Sequence, residues 1–288
     1  TGLQFAVLTT MQLDALTTAQ IRAMETTDVA SLRTVHISAL SNDQIDVLST
    51  DQIAALTNPQ VNSFSISQLA ALRTAHIAAM SSGQFNAMTS TQIAALSVDQ
   101  VVAIETNDFS ALRATQISAF TAEQVQSLTS DQVVALTTTQ VTYLTSDQIS
   151  AFTTAQITKF ETADLRAMRS YQVRAIGNAQ IAALTTDQTA ALSAAQVSFL
   201  TDEQITSLET RQISALITSQ MGGLTTNQIR LLSLDQLRAI ETIDLQAMKA
   251  AQVASFTNEQ VAGLNTDQIV ALTTTQITAI TSDQVTAL

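Results

Sequence analysis

The chain of 288 residues contains no cysteine and no tryptophan, a single proline and six glycines. Without cysteine it has no disulfides, no thiolate metal site and no cysteine nucleophile. Only 12% of residues are charged and 4% aromatic, and the formal charge is −12. Twelve basic side chains against 24 acidic ones disfavour nucleic acid, whose phosphates call for Lys and Arg. Apolar runs are too short for a membrane-spanning helix, so no membrane insertion is expected. The glycines, Gly2, Gly83, Gly177, Gly222, Gly223 and Gly263, form no phosphate-binding or dinucleotide motif.

What the chain does contain is an octad. It divides into 36 octads without insertion or deletion, numbered here from Thr1. Position 8 is apolar in all 36, from Leu8 to Leu288, and position 5 in 35, with Thr189 as the exception. Position 4 is Gln in 30; the others are Asp28, Asp108, Asp164, Asp244, His36 and His76. Position 7 is Ala, Ser or Gly in 30 octads, and position 1 is Ser or Thr in 23. The consensus T-T-D-Q-I-A-A-L is nearly pure at Ser49–Leu56 and Thr129–Leu136.

The spacing predicts helix. Residues three apart share a helix face but lie on opposite faces of a strand. The turns that short strands need are missing. Thr, Val and Ile favour strands, but T-x-x-Q is a capping box. Acidic residues gather at position 3, as at Asp51, Asp131, Glu203 and Asp283, where the helix dipole favours them. Pro59 sits at the same position, inside the first turn.

One continuous helix cannot satisfy the pattern. Two helical turns take about 7.2 residues, so an eight-residue stripe precesses by roughly 80° per octad. The chain must break at every octad. The expected fold is an all-α solenoid of 36 very short helices, about six or seven residues each, one per repeat. A single octad recovers less from burying two anchors than it loses in ordering eight residues, so stacking must stabilise it. Gln at position 4 is expected to form a structural ladder, serving its own cap and a neighbouring Gln.

A longer period overlies the octad. Basic residues occupy position 1 at Arg33, Arg73 and Arg113, in steps of 40, and again at Arg169 and Lys249, with Glu209 midway. The step from Arg113 to Arg169 is 56, giving a unit of 17 octads, or 136 residues. The segment E-T-x-D-φ-x-x-φ-[RK] therefore recurs at Glu25–Arg33, Glu105–Arg113, Glu161–Arg169 and Glu241–Lys249. Residues 1–288 read as one continuous repeat domain, with higher-order units at 25–160 and 161–288. Both ends fall in mid-pattern and lack polar caps, so the expectation is a window from a longer repetitive protein or a subunit that stacks head to tail.

The candidate site residues are Glu25, Arg33, Glu105, Arg113, Glu161, Arg169, Glu241 and Lys249, read as inter-repeat ion pairs that set register, or as contact patches. Tyr143, Lys159 and Phe199 replace the small residue at position 7 and mark places where coils spread or a surface is contacted. Glu25, Asp28 and His36 are too few ligands for a metal site, and His36 and His76 read as substitutes for Gln. No nucleophile elbow or acid–base pair is evident, and neither catalysis nor a cofactor is expected.

The string L-T-S-D-Q-V-V-A-L at Leu128–Leu136 resembles the opening of a TAL-effector DNA-binding repeat, although that family's base-reading loop is missing here. The whole chain is more similar to the T-x-x-Q-[IV]-x-x-L arrays of very large bacterial surface and secreted proteins, often of adhesin type. That resemblance implies an extracellular stalk, fibre or matrix component, with secretion signals and binding domains outside this window. The first reading is thus a structural protein that self-associates head to tail or laterally. The alternative is a binding module recognising protein or glycan along one solenoid face, which a cluster of position-6 residues (Arg22, Asp46, Asn62, Asn86, Gln126, Arg166) would support.

Overall fold

A computed structural model describes the backbone of residues 2–287 and the side chains of residues 4–287. Thr1 and Leu288, the first and last residues of the octad pattern, lie outside the described residues. The described residues form 36 helices, from Gly2–Ala6 to Ser282–Ala287, one per octad. No strand occurs among them. The chain is an all-α solenoid array of very short helices.

Each helix is four to six residues long, slightly shorter than the spacing predicts. The octad Ser49–Leu56 shows why. Ser49 is extended (φ −79°, ψ 162°) and caps the helix Thr50–Ala55, and Leu56 is extended again (φ −62°, ψ 138°). Two consecutive extended residues, position 8 and the next position 1, turn the chain into the following helix. Ordinary L-residues adopt that conformation freely, and no described residue has a positive φ. A left-handed glycine cap is unnecessary, which explains how so many helix ends coexist with six glycines.

The anchors at positions 5 and 8 form the core, as in Ile53 and Leu56. Phe residues extend it: Phe109 stacks on Phe120 with ring centroids 5.8 Å apart, and Phe152 meets Phe160 edge-on at 4.9 Å. Thr189, the polar exception, is buried and donates its hydroxyl to the Thr185 carbonyl at 2.9 Å, a local satisfaction open to helical Thr.

The residues group into two units, 1–144 and 145–288. Within each, a helix packs against the third helix along the chain: Thr26–Ser31 against Thr50–Ala55 in the first unit, Thr186–Ala191 against Thr210–Ala215 in the second. Hydrogen bonds between successive coils join residues 25 to 31 apart. One coil therefore takes slightly more than three octads. Small residues at position 7 sit where coils meet. An added Cβ on Gly223 would lie 2.7 Å from the Ala194 carbonyl oxygen of the preceding coil.

Candidate functional site

From residue 28 onward the recurring polar residue is buried, Asp108 only in part, and the Gln serves both ends of a helix. In the octad Thr129–Leu136 the Gln132 Oε1 accepts the Thr129 backbone N–H at 3.1 Å, while Thr129 Oγ1 accepts the Gln132 N–H at 3.1 Å. The Gln132 amide then donates to the carbonyls of Val101 (2.8 Å) and Ile104 (2.9 Å), one coil earlier. Those carbonyls end a helix and would otherwise lack a full set of partners. The same arrangement holds Gln52 on Ile21 and Met24, and Gln212 on Ile181 and Leu184. The expected Gln-to-Gln ladder is thus a Gln-to-backbone ladder. The Gln half of the capping box persists even where position 1 has no hydroxyl, at Gly177 and Ile217.

His36 and His76 occupy the Gln slot and imitate it. His76 Nδ1 accepts the Arg73 backbone N–H at 3.2 Å, and Nε2 lies 2.9 Å from the Leu48 carbonyl and 2.5 Å from the Arg73 guanidinium. Burial, followed by the neighbouring Arg73 guanidinium, holds the His76 pKa below its ordinary value. His36 is lowered for the same reasons, with Arg33 as its cation. Arg33 also lies on both His36 nitrogens: its N–H at 3.3 Å from Nδ1 and its guanidinium at 2.7 Å from Nε2.

The Asp variants solve the problem differently. A carboxylate cannot donate, and Glu25, Glu105, Glu161 and Glu241, which precede these Asp residues as helix caps, make no side-chain cap bond. Two of the Asp residues accept hydroxyls from the coil before: Asp108 from Ser82, and Asp244 from Thr218 at 2.8 Å. These partners at position 2 went unnoticed in the sequence, where Ser and Thr are everywhere. The 26-residue separation that singles them out has meaning only once the coil length is known.

All eight candidate site residues are exposed. Arg33 and Arg113 donate to the carbonyls of Leu8 (3.3 Å) and Met88 (2.8 Å), 25 residues back. Carboxylate partners appear instead at two other charged position-1 residues: Arg73 pairs with Asp46 at 3.3 Å, and Glu209 with Arg211 at 2.7 Å. Several position-6 side chains also serve the next coil. Asn62 donates to the Ala87 carbonyl at 2.7 Å and Arg238 to that of Gly263 at 2.8 Å. Of the large residues at position 7, Tyr143 stands exposed.

No helix among the described residues is long and apolar enough to cross a membrane. No curated protein matches the chain. The family model for the ALTTAQ repeat matches at residues 21–58, 62–98, 101–138, 157–194 and 237–274, together about two-thirds of the chain. Five tandem matches on a ladder of short helices identify a structural repeat protein, and the chain belongs to the ALTTAQ repeat family.

Proposed function

We propose that this repeat array is a self-associating spacer or filament component of a bacterial cell surface, working mechanically and without catalysis or cofactor. The observation that carries the reading is the use of the recurring buried Gln. Its oxygen closes its own helix start, and its amide closes the helix ends of the coil before. Such a device extends by adding octads, each stabilised by its neighbours. The extracellular setting rests on the likeness to octad arrays of large surface proteins. The same setting accommodates an adhesin-like context in which the array displays or assists a binding partner.

Electron microscopy of the purified chain tests the mechanical reading. The expected images are rods or fibres of uniform width whose length grows when octads are added. Globular particles insensitive to octad number would overturn it. Antibody labelling of intact cells tests the location, and labelling only after permeabilisation would exclude the surface.

A further inference from the structure

Each unit contains an octad that interrupts the ladder between two intact rungs. In the first unit Gln100 accepts the Ser97 N–H at 2.8 Å and donates to the Leu69 and Leu72 carbonyls at 2.8 and 2.6 Å. Two octads on, Gln116 donates to the Phe85 and Met88 carbonyls, at 2.8 Å each. Between them stands Asp108, and the carbonyls equivalent by position are those of Ile77 and Met80. In the second unit Asp244 stands between Gln236, on Ile205 and Leu208, and Gln252, on Met221 and Leu224. The equivalent carbonyls there belong to Ile213 and Leu216.

At both places the Gln contacts are lost together. Neither half of the capping box forms at Glu105 or Glu241. Among the described residues, no hydrogen bond reaches the carbonyl of Met80 or of Leu216, although both residues are buried. Asp is one methylene shorter than Gln and cannot donate, so it meets only the position-2 hydroxyl 26 residues back, Ser82 or Thr218. That bond is charge-assisted. It joins two side chains, however, and leaves the backbone groups of the rung unclosed. An unmet buried carbonyl costs more than an ordinary hydrogen bond contributes, and Asp244 also holds a carboxylate away from water. Opening a Gln rung exchanges satisfied groups for hydrated ones. Opening an Asp rung recovers hydration that the closed rung forgoes.

We propose that the octads of Asp108 and Asp244 are yield points, where successive coils part first while the flanking Gln rungs hold. One such point in each unit gives the array a local extension that leaves the rest of the solenoid intact. That use under load rests on the reading of the chain as a mechanical spacer; the preferential opening does not.

Hydrogen exchange of the full chain under native conditions tests it. The Phe109 and Leu112 N–H groups are bonded within their octad at 2.8 and 3.2 Å, and Val101 and Ile104 in the same way at 2.9 and 3.1 Å. A difference between the two octads therefore reports opening and not a missing acceptor. Residues 106–112 should exchange roughly tenfold faster than 98–104, and 242–248 than 234–240. The repairs Glu105→Thr/Asp108→Gln and Glu241→Thr/Asp244→Gln restore the consensus and should bring these octads to their neighbours' rates. The graft Ser97→Glu/Gln100→Asp, with Thr74 standing 26 residues back, should transfer fast exchange to 98–104. Equal rates in the parent, or repaired octads that stay fast, would overturn the yield points. Pulling the full chain in an optical trap should show a small low-force extension that the repairs abolish. Its absence beside an intact exchange difference overturns the mechanical use alone.

Discussion

At the residue scale, Gln at position 4 joins three backbone groups, the N–H of its own cap and two carbonyls one coil earlier. Replacing Gln132 by Glu keeps the cap acceptor but turns a second oxygen toward the carbonyls of Val101 and Ile104. The expected loss is about 2–4 kcal/mol, from unmade bonds plus buried repulsion. Amide hydrogen exchange should show it as faster opening of the neighbouring coils, whereas Gln132→Glu exchange rates equal to the parent's would contradict the ladder. His36 and His76 give a pH signature. Both are held below the ordinary 6.5 in the folded chain, so the unfolded chain takes up protons first as the pH falls. Their stability contribution is complete above about pH 6.5 and declines below it, levelling off under the folded-state values. Melting temperatures at pH 7.5 and 5.5 should therefore separate in the parent, and the gap should narrow in a His36→Gln/His76→Gln variant. An unchanged gap would place the titration elsewhere.

At the element scale, the helices are too short to stand alone, and their limits are set by caps and by two extended residues at each junction. Isolated helices of this length are not stable in water. Two neighbouring glycines separate packing from helix propensity. At Gly222 an added Cβ would meet its nearest backbone atoms at 3.7 Å, an ordinary contact, whereas at Gly223 the Ala194 carbonyl is 2.7 Å away. Gly222→Ala should stabilise by about 0.5–1 kcal/mol, through lower unfolded-state entropy. Gly223→Ala should destabilise by about 1–3 kcal/mol, because backbone must move. Urea unfolding of the two single variants checks the contrast, and equal midpoints would mean the coils do not approach as closely as described.

At the scale of the whole molecule, octads are interchangeable as structural units. Excising one octad, Thr129–Leu136, leaves every remaining Gln an equivalent pair of carbonyls one coil earlier. Excising half of it, 129–132, leaves the octads on either side of the cut out of phase. Helical circular dichroism and melting should be nearly unchanged by the first deletion and clearly reduced by the second.

The octad phase, the core at positions 5 and 8, the hydroxyl-and-Gln caps and the helical nature of each repeat were all legible in the residues, because each follows from neighbours within eight positions. The coil length was not. Its partners are backbone carbonyls, which every residue type presents alike, so nothing in the side-chain pattern marks which octad lies beneath which. For the same reason nothing in the sequence hints that Arg33 and Arg113 reach the Leu8 and Met88 carbonyls. How many octads close a coil is equally hidden in the side-chain pattern. That number comes from the reach of the Gln amide and the packing of helix on helix, and local sequence encodes neither.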